Sequence, residues 1–181
     1  NIIMGMETGA CLCNGSHNIA MGQYTMRGSS TVSANTAAFN VALGREALKV
    51  ISSGTYNVAL GSAAGEALTT GANNILIGQN AGKCNTTKSG QVAIGLDAAC
   101  CACGSNSVFI GTESAKCMQC AEDSVIIGRQ AGRGSSTVAD NTGKENVILG
   151  YAAGQSMSSS NSNVIIGSYT GCNITTSDGH V

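Results

Sequence analysis

A short apolar phrase closed by glycine recurs along the chain: NIIMG at Asn1, NIAMG at Asn18, NVALG at Asn40 and again at Asn57, and NILIG at Asn74. It continues as QVAIG at Gln91, SVFIG at Ser107, SVIIG at Ser124, NVILG at Asn146 and NVIIG at Asn163. The closing glycines are Gly5, Gly22, Gly44, Gly61, Gly78, Gly95, Gly111, Gly128, Gly150 and Gly167, spaced by 17, 22, 17, 17, 17, 16, 17, 22 and 17 residues. Self-similarity at such a period is the signature of a repeat array. Ten units, starting at 1, 18, 40, 57, 74, 91, 107, 124, 146 and 163, tile residues 1–179, and His180-Val181 opens an eleventh in phase. The pattern predicts one array over residues 1–181, with no linker or second domain.

Within each unit the residue three before the glycine is Val or Ile, and the one just before it is Met, Leu or Ile. These two share one face of a strand, because side chains alternate with period two. The residue between them is Ala in some units (Ala20, Ala42, Ala59, Ala93) and larger in others (Leu76, Phe109, Ile126, Ile148, Ile165). A strand apolar on both faces is buried on both faces. One 17-residue coil has a single thin interior, so the second face needs another cover, and a neighbouring chain is the expected one.

After the glycine comes a pair of small residues, as in Ala64-Gly65, Ala81-Gly82 and Ala153-Gly154, which lets backbones approach closely at a corner. A hydroxyl pair follows, as in Ser52-Ser53, Thr69-Thr70, Thr86-Thr87, Ser158-Ser159 and Thr175-Thr176. The opening asparagines Asn1, Asn18, Asn40, Asn57, Asn74, Asn146 and Asn163 would stack in register at a corner as an amide ladder. The two 22-residue units share RGSSTV, at Arg27–Val32 and Arg133–Val138, followed by Asn35-Thr36 and Asn141-Thr142. A block of six units therefore looks duplicated, with the insertion forming a loop on one side. At about 4.8 Å per rung the array makes a rod on the order of 50 Å long.

Composition agrees with a rod and excludes most alternatives. The chain has 181 residues, 25 glycines, no proline, no tryptophan, 3% aromatics and 10% charged residues. A globular domain uses about 25% charged residues and about 5% proline. Hydrophobic content of 43% is too high for a disordered chain, and collagen would need proline and a three-residue glycine period. Nine Lys and Arg against ten Asp and Glu leave a net charge of -1, so no footprint for nucleic acid or an anionic membrane is expected. Apolar runs of four or five residues cannot span a bilayer. A first residue of Asn1 and no signal peptide suggest a piece of something longer.

The units NVALGSAAGEALTTGAN (57–73) and NILIGQNAGKCNTTKSG (74–90) carry a recognisable form, N-x-x-x-G-x-x-A-G-x-x-x-T-T-G. It resembles the shaft repeats of phage and large-virus tail or surface fibres, and is similar to the head repeats of trimeric autotransporter adhesins. The resemblance covers all ten units. It implies an all-β parallel solenoid or β-roll of ten rungs of about 17 residues, three chains intertwined or side by side, and a structural or attachment role. The autotransporter repeat is usually shorter, which makes the viral fibre the nearer likeness. Nine cysteines are atypical of such shafts.

Those cysteines are Cys11, Cys13, Cys84, Cys100, Cys101, Cys103, Cys117, Cys120 and Cys172. Cys11, Cys84, Cys101 and Cys117 all stand six residues after a unit glycine, and the last three come from consecutive units. Stacked about 5 Å apart, they fit rung-to-rung or chain-to-chain disulfides, or small thiols filling a corner where other units use Gly28, Ala67 or Gly134. CCAC at Cys100–Cys103 and CMQC at Cys117–Cys120 have the look of a metal site, but their 16-residue separation is the repeat period. No metal or cofactor is assigned.

Other chemistry is sparse. GQNAGKC (78–84) falls one residue short of a phosphate loop and has Cys84 where Ser or Thr is needed. His17 and His180 lie 163 residues apart, and Glu7, Glu46, Asp97 and Glu113 each sit two past a glycine, as at a solvated corner. No catalytic site is expected. Arg27, Lys49, Lys83, Lys116 and Arg133 form a basic column five past the glycine, a candidate contact for host-surface glycans or a solubilising edge. Sequons at Asn14, Asn85 and Asn173 are close to chance in this composition. The leading expectation is the shaft of a viral attachment fibre on the virion surface, a homotrimer able to stack end to end. The alternative is a disulfide-cross-linked extracellular filament or adhesin, and third is an ice-binding solenoid using the threonine pairs.

Overall fold

A computed structural model of the chain describes residues 1–12, 14–29, 35–134, 142–172, 174 and 178–179. Residues 30–34 and 135–141, which include the latter parts of both RGSSTV segments, lie outside the described residues, as do Cys13, Asn173, Thr175-Thr176 and His180. The apolar phrases fold as ten three-residue strands: β1 (Ile2–Met4), β2 (Ile19–Met21), β3 (Val41–Leu43), β4 (Val58–Leu60), β5 (Ile75–Ile77), β6 (Val92–Ile94), β7 (Val108–Ile110), β8 (Val125–Ile127), β9 (Val147–Leu149) and β10 (Val164–Ile166). They form a single parallel sheet in chain order. Each strand pairs with the same columns of its neighbour, as in Val41↔Val58, Ala42↔Ala59 and Leu43↔Leu60. The chain is a parallel β-solenoid.

Period two settles which residues share a face, and the structure settles which face is inside. The middle residue of the strand points inward: Ala20, Ala42, Ala59, Leu76, Ala93, Phe109, Ile126 and Ile148 are fully buried. The rest of the interior comes from the opposite, turn-built wall. Leu48, Ile51, Leu68, Met118 and Met157 reach in from there and join one continuous core. Where the strand offers only Ala, as in Ala42 and Ala59, the wall opposite supplies Leu48, Ile51 and Leu68. Large faces small, so a narrow coil fills without aromatics.

Two tight turns carry the chain away from each strand. In the third unit the Ala47 N–H donates to the Gly44 carbonyl and the Ile51 N–H to the Leu48 carbonyl, each closing a three-residue step. The first turn has Glu46 at φ +62°, the positive value that a type II turn requires at its third residue. Rung-to-rung hydrogen bonds continue through these turns, for example from Leu48 N–H to the Ala64 carbonyl and from Gly65 N–H to the Ala81 carbonyl. The backbone is thereby satisfied around the rung and not only along the sheet.

The closing glycine is required twice over. Gly44 has φ +133° and Gly61 φ +138°, where an L side chain is strained. A Cβ on Gly44 would also stand 2.5 Å from the carbonyl oxygen of Gly61, and one on Gly61 2.6 Å from that of Gly78. Each rung sits directly on the next at this column. The same conformation recurs at Gly5, Gly22, Gly78, Gly95, Gly111, Gly128, Gly150 and Gly167.

Candidate functional site

The asparagine column turns from the strand into the interior. Asn18, Asn40, Asn57, Asn74, Asn146 and Asn163 are buried, inside the coil instead of at an outer corner, while Asn1 lies exposed at the end. Each amide is held on both sides. The Asn57 Nδ2 donates to Asn40 Oδ1 at 3.0 Å and to the Gly71 carbonyl at 2.9 Å. The Asn57 Oδ1 accepts from the backbone and side-chain N–H groups of Asn74 at 3.0 and 2.9 Å. Three residues that the asparagine pattern passes over occupy the same column. Gln91 N–H donates to Asn74 Oδ1 at 2.9 Å, Ser124 N–H to Ser107 Oγ at 3.2 Å, and Asn146 N–H to Ser124 Oγ at 3.1 Å. Their position before the apolar triplet was the available signal.

Outside the sheet runs the second apolar row, two side chains per strand from β1 to β10. None is buried: Met21, Leu43, Ile75 and Ile127 are exposed, and Val58, Leu60, Val92, Ile94, Val108 and Ile110 are half-buried. The row is continuous because the strands stack in register with no offset, as in Val58↔Ile75 and Leu60↔Ile77. A soluble monomer rarely exposes a contiguous apolar patch beyond a few hundred Å².

Charges collect on the opposite edge and neutralise one another. Glu7 pairs with Arg27 at 3.4 Å. Lys49 bridges Glu46 and Glu66 at 3.0 and 3.5 Å, and Lys83 joins Glu66 at 3.5 Å. Lys116 bridges Asp97 and Glu113, both at 2.9 Å, and Arg133 reaches Glu113 at 3.5 Å. Every cation of the basic column therefore has a carboxylate partner. The hydrogen bond from Lys49 holds the Glu46 carboxyl below its ordinary range, and those from Lys116 and Gln130 do the same for Glu113. Burial pushes Asp97 up, but hydrogen bonds from Asn80 and Lys116 outweigh it and leave it low. A separate triad brings Lys88 and Lys144 to Glu122, each at 2.9 Å, and lowers that carboxyl to about 2.

The hydroxyl column is turned along the rod. Thr69 Oγ1 donates to the Thr86 carbonyl at 2.9 Å, and Ser52 Oγ to the Thr69 carbonyl at 3.1 Å. In the phosphate-loop lookalike, Gly82 takes φ +58° as an ordinary turn position. Asn85 of the central sequon is buried. His17 stacks on Phe39, and Phe39 on Tyr56, with ring centroids 4.6 and 5.0 Å apart. No helix among the described residues is long and apolar enough to cross a membrane.

Cysteines gather at one point. Cys84 and Cys101 stack in adjacent rungs with Sγ atoms 3.8 Å apart. Cys100 joins them, so that the three sulfurs lie within 4.8 Å of one another. Cys103 and Cys117 are half-buried beside the group, whereas Cys11, Cys120 and Cys172 stand outside it. Cys11, Cys84, Cys100, Cys101, Cys103, Cys120 and Cys172 are thiols, outside any disulfide. Of the predicted column, Cys84 stacks on Cys101, and Cys100 is brought in from the neighbouring column, an addition the period alone does not show. No protein-family model, curated protein or solved structure matches the chain.

Proposed function

We propose that the chain is a section of a fibre shaft, in which three copies pack their outer sheet faces about a common axis to form the rod of a viral tail or surface fibre serving host attachment. The observation that carries this reading is the continuous apolar row outside β1–β10, two side chains per rung. A row of that kind is covered by protein in a stable assembly, and an identical row on a second and third chain is complementary to it in period and register. The form of the repeat supports the viral shaft over other fibres. The role is mechanical: rung-to-rung hydrogen bonds and the buried amide column resist bending and unfolding along the axis, and stability accumulates over rungs and their interfaces. Such a shaft works outside the cell, on the virion surface.

Sedimentation equilibrium of the chain tests this directly. The expected mass is three times 18.0 kDa, with an elongated frictional ratio. The double variant Leu60→Lys/Ile77→Lys, which places two charges in the middle of the row, should sediment as a monomer while keeping its β-type circular dichroism. A monodisperse wild-type monomer would overturn the shaft reading.

A further inference from the structure

The geometry points to a binding site for one thiophilic monovalent d10 cation, of the copper(I) class, held by the sulfurs of Cys84, Cys100 and Cys101. Three bonds of about 2.3 Å to a central ion place sulfurs about 4 Å apart in a trigonal plane. The observed separations, 3.8 Å for Cys84–Cys101 and within 4.8 Å for all pairs, fit that without moving the backbone. The three residues are also fixed by the ladder. Cys84 N–H donates to the Cys100 carbonyl at 2.9 Å, and Cys101 N–H to the Lys116 carbonyl at 2.9 Å. Adjacent rungs thus hold the donors, and only side-chain torsions remain to be set.

The donor set selects the ion. Thiolate-only sites favour copper(I), zinc and iron–sulfur centres, and structural zinc is almost always closed by four ligands. The described residues bring three sulfurs together here, and no imidazole or carboxylate joins them. The nearby Asp97 carboxylate is committed, one oxygen to Asn80 at 2.9 Å and the other to Lys116 at 2.9 Å. Cys103 directs its thiol at the carbonyls of Cys84 and Cys101, both at 3.9 Å. The three sulfurs that lie within mutual reach suit a trigonal monovalent ion better than a tetrahedral divalent one.

Access agrees with this. Cys84 is exposed and lines a shallow groove of about 330 Å³ with Lys49, Val50, Glu66, Ala67 and Lys83, so an ion reaches the sulfurs from the surface. A coordinating metal ion displaces the proton outright, so binding releases thiol protons to solvent and changes no oxidation state.

The test is an anaerobic titration of the full chain, thiols reduced, with copper(I) buffered by bathocuproine disulfonate. Transfer is read from the loss of chelator colour and the growth of near-ultraviolet sulfur-to-copper bands. One tight equivalent per chain is expected. Cys100→Ser should weaken it at least about tenfold, and Cys84→Ser/Cys100→Ser/Cys101→Ser should abolish it, with unchanged far-ultraviolet circular dichroism. Cys11→Ser, outside the cluster, should leave it intact. A tight equivalent that survives the triple variant, absence of binding to the reduced wild type, or displacement of copper(I) by equimolar zinc(II) would each overturn the assignment.

Discussion

The strand side and the turn side of the rod are cut from the same rung, yet they are finished differently. On the strand side the backbone is packed so closely that the closing glycines from Gly5 to Gly150 admit no Cβ, and the outer row carries only apolar side chains. On the turn side positive φ recurs at residues that do carry Cβ, among them Glu46, Ala63, Asp97 and Glu113. The surface there is closed by ion pairs within the chain. One side carries paired charges and the other an uncovered apolar row, which the proposed shaft would cover with its neighbouring copies. A rod that assembles laterally needs this asymmetry, because a coil finished on all sides would have no reason to associate.

The glycine column is where the two sides should separate most sharply. Gly61→Ala combines an unfavourable φ with a carbonyl 2.6 Å from the new Cβ, and neither rung can retreat without breaking the register above and below. The expected loss is about 3 kcal/mol or more, measured as a shift of the denaturant midpoint. Ala63→Gly at φ +56° is the matching change on the turn side. It removes αL strain at the cost of a floppier unfolded chain, and should stay within about 1 kcal/mol of wild type. Equal losses at both positions would dissolve the contrast.

The amide column is the next most sensitive feature. Asn57→Ala removes two donated and two accepted hydrogen bonds in the interior and leaves their partners in Asn40, Gly71 and Asn74 short of one bond each or more. A cost of about 3 kcal/mol is expected. Asn57→Ser should cost less, about 1 kcal/mol, because Ser107 already fills the column by donating to the Ala121 carbonyl at 2.6 Å and accepting from Ser124. A thermal or denaturant midpoint that ranks serine below alanine would show that the column tolerates a void better than a short hydroxyl.

This difference also marks how far the rod was legible before it was seen. The strands, their register, the glycine column and the stacking of Asn57 on Asn40 follow from period alone, since identical residues at identical phase must coincide when rungs stack. Period cannot say which face of Val58-Ala59-Leu60 turns inward. That depends on the opposite wall, where Leu48, Ile51 and Leu68 complete the volume left by Ala42 and Ala59. The inward turn of the asparagines follows from the same choice. Positive φ at Glu46, Phe39 and Tyr56 leaves no mark in residue type, because the rung-to-rung hydrogen bonds impose it against preference. The acidic and basic columns were visible, but not their proximity, which requires the two turns after the strand to bring the second and fifth positions onto one edge. The thiol group was half legible: Cys84 and Cys101 share a phase, and Cys100 does not.

The ion pairs of the turn side should have the smallest effect and the clearest pH signature. The carboxyls of Glu46, Asp97 and Glu113 sit below their ordinary range in the folded chain. A depressed folded value means stability that is fully present above the unfolded value of about 4.3 for Glu and about 3.9 for Asp. It is lost as pH falls through the lower folded values. Midpoints should therefore hold steady from pH 7 to about 5 and then decline. Lys116→Met removes the partner that Asp97 and Glu113 share at 2.9 Å. It should flatten that decline and lower stability at pH 7 by about 0.5 kcal/mol, since these groups are partly solvated and exposed pairs contribute little. About 1 M salt, which shortens screening to about 3 Å, should mimic part of the substitution. The strand side carries no such charges, so the Leu60→Lys/Ile77→Lys variant should keep the wild-type acid profile. If it loses that profile, the two sides are coupled through the core and the turn side is not finished independently.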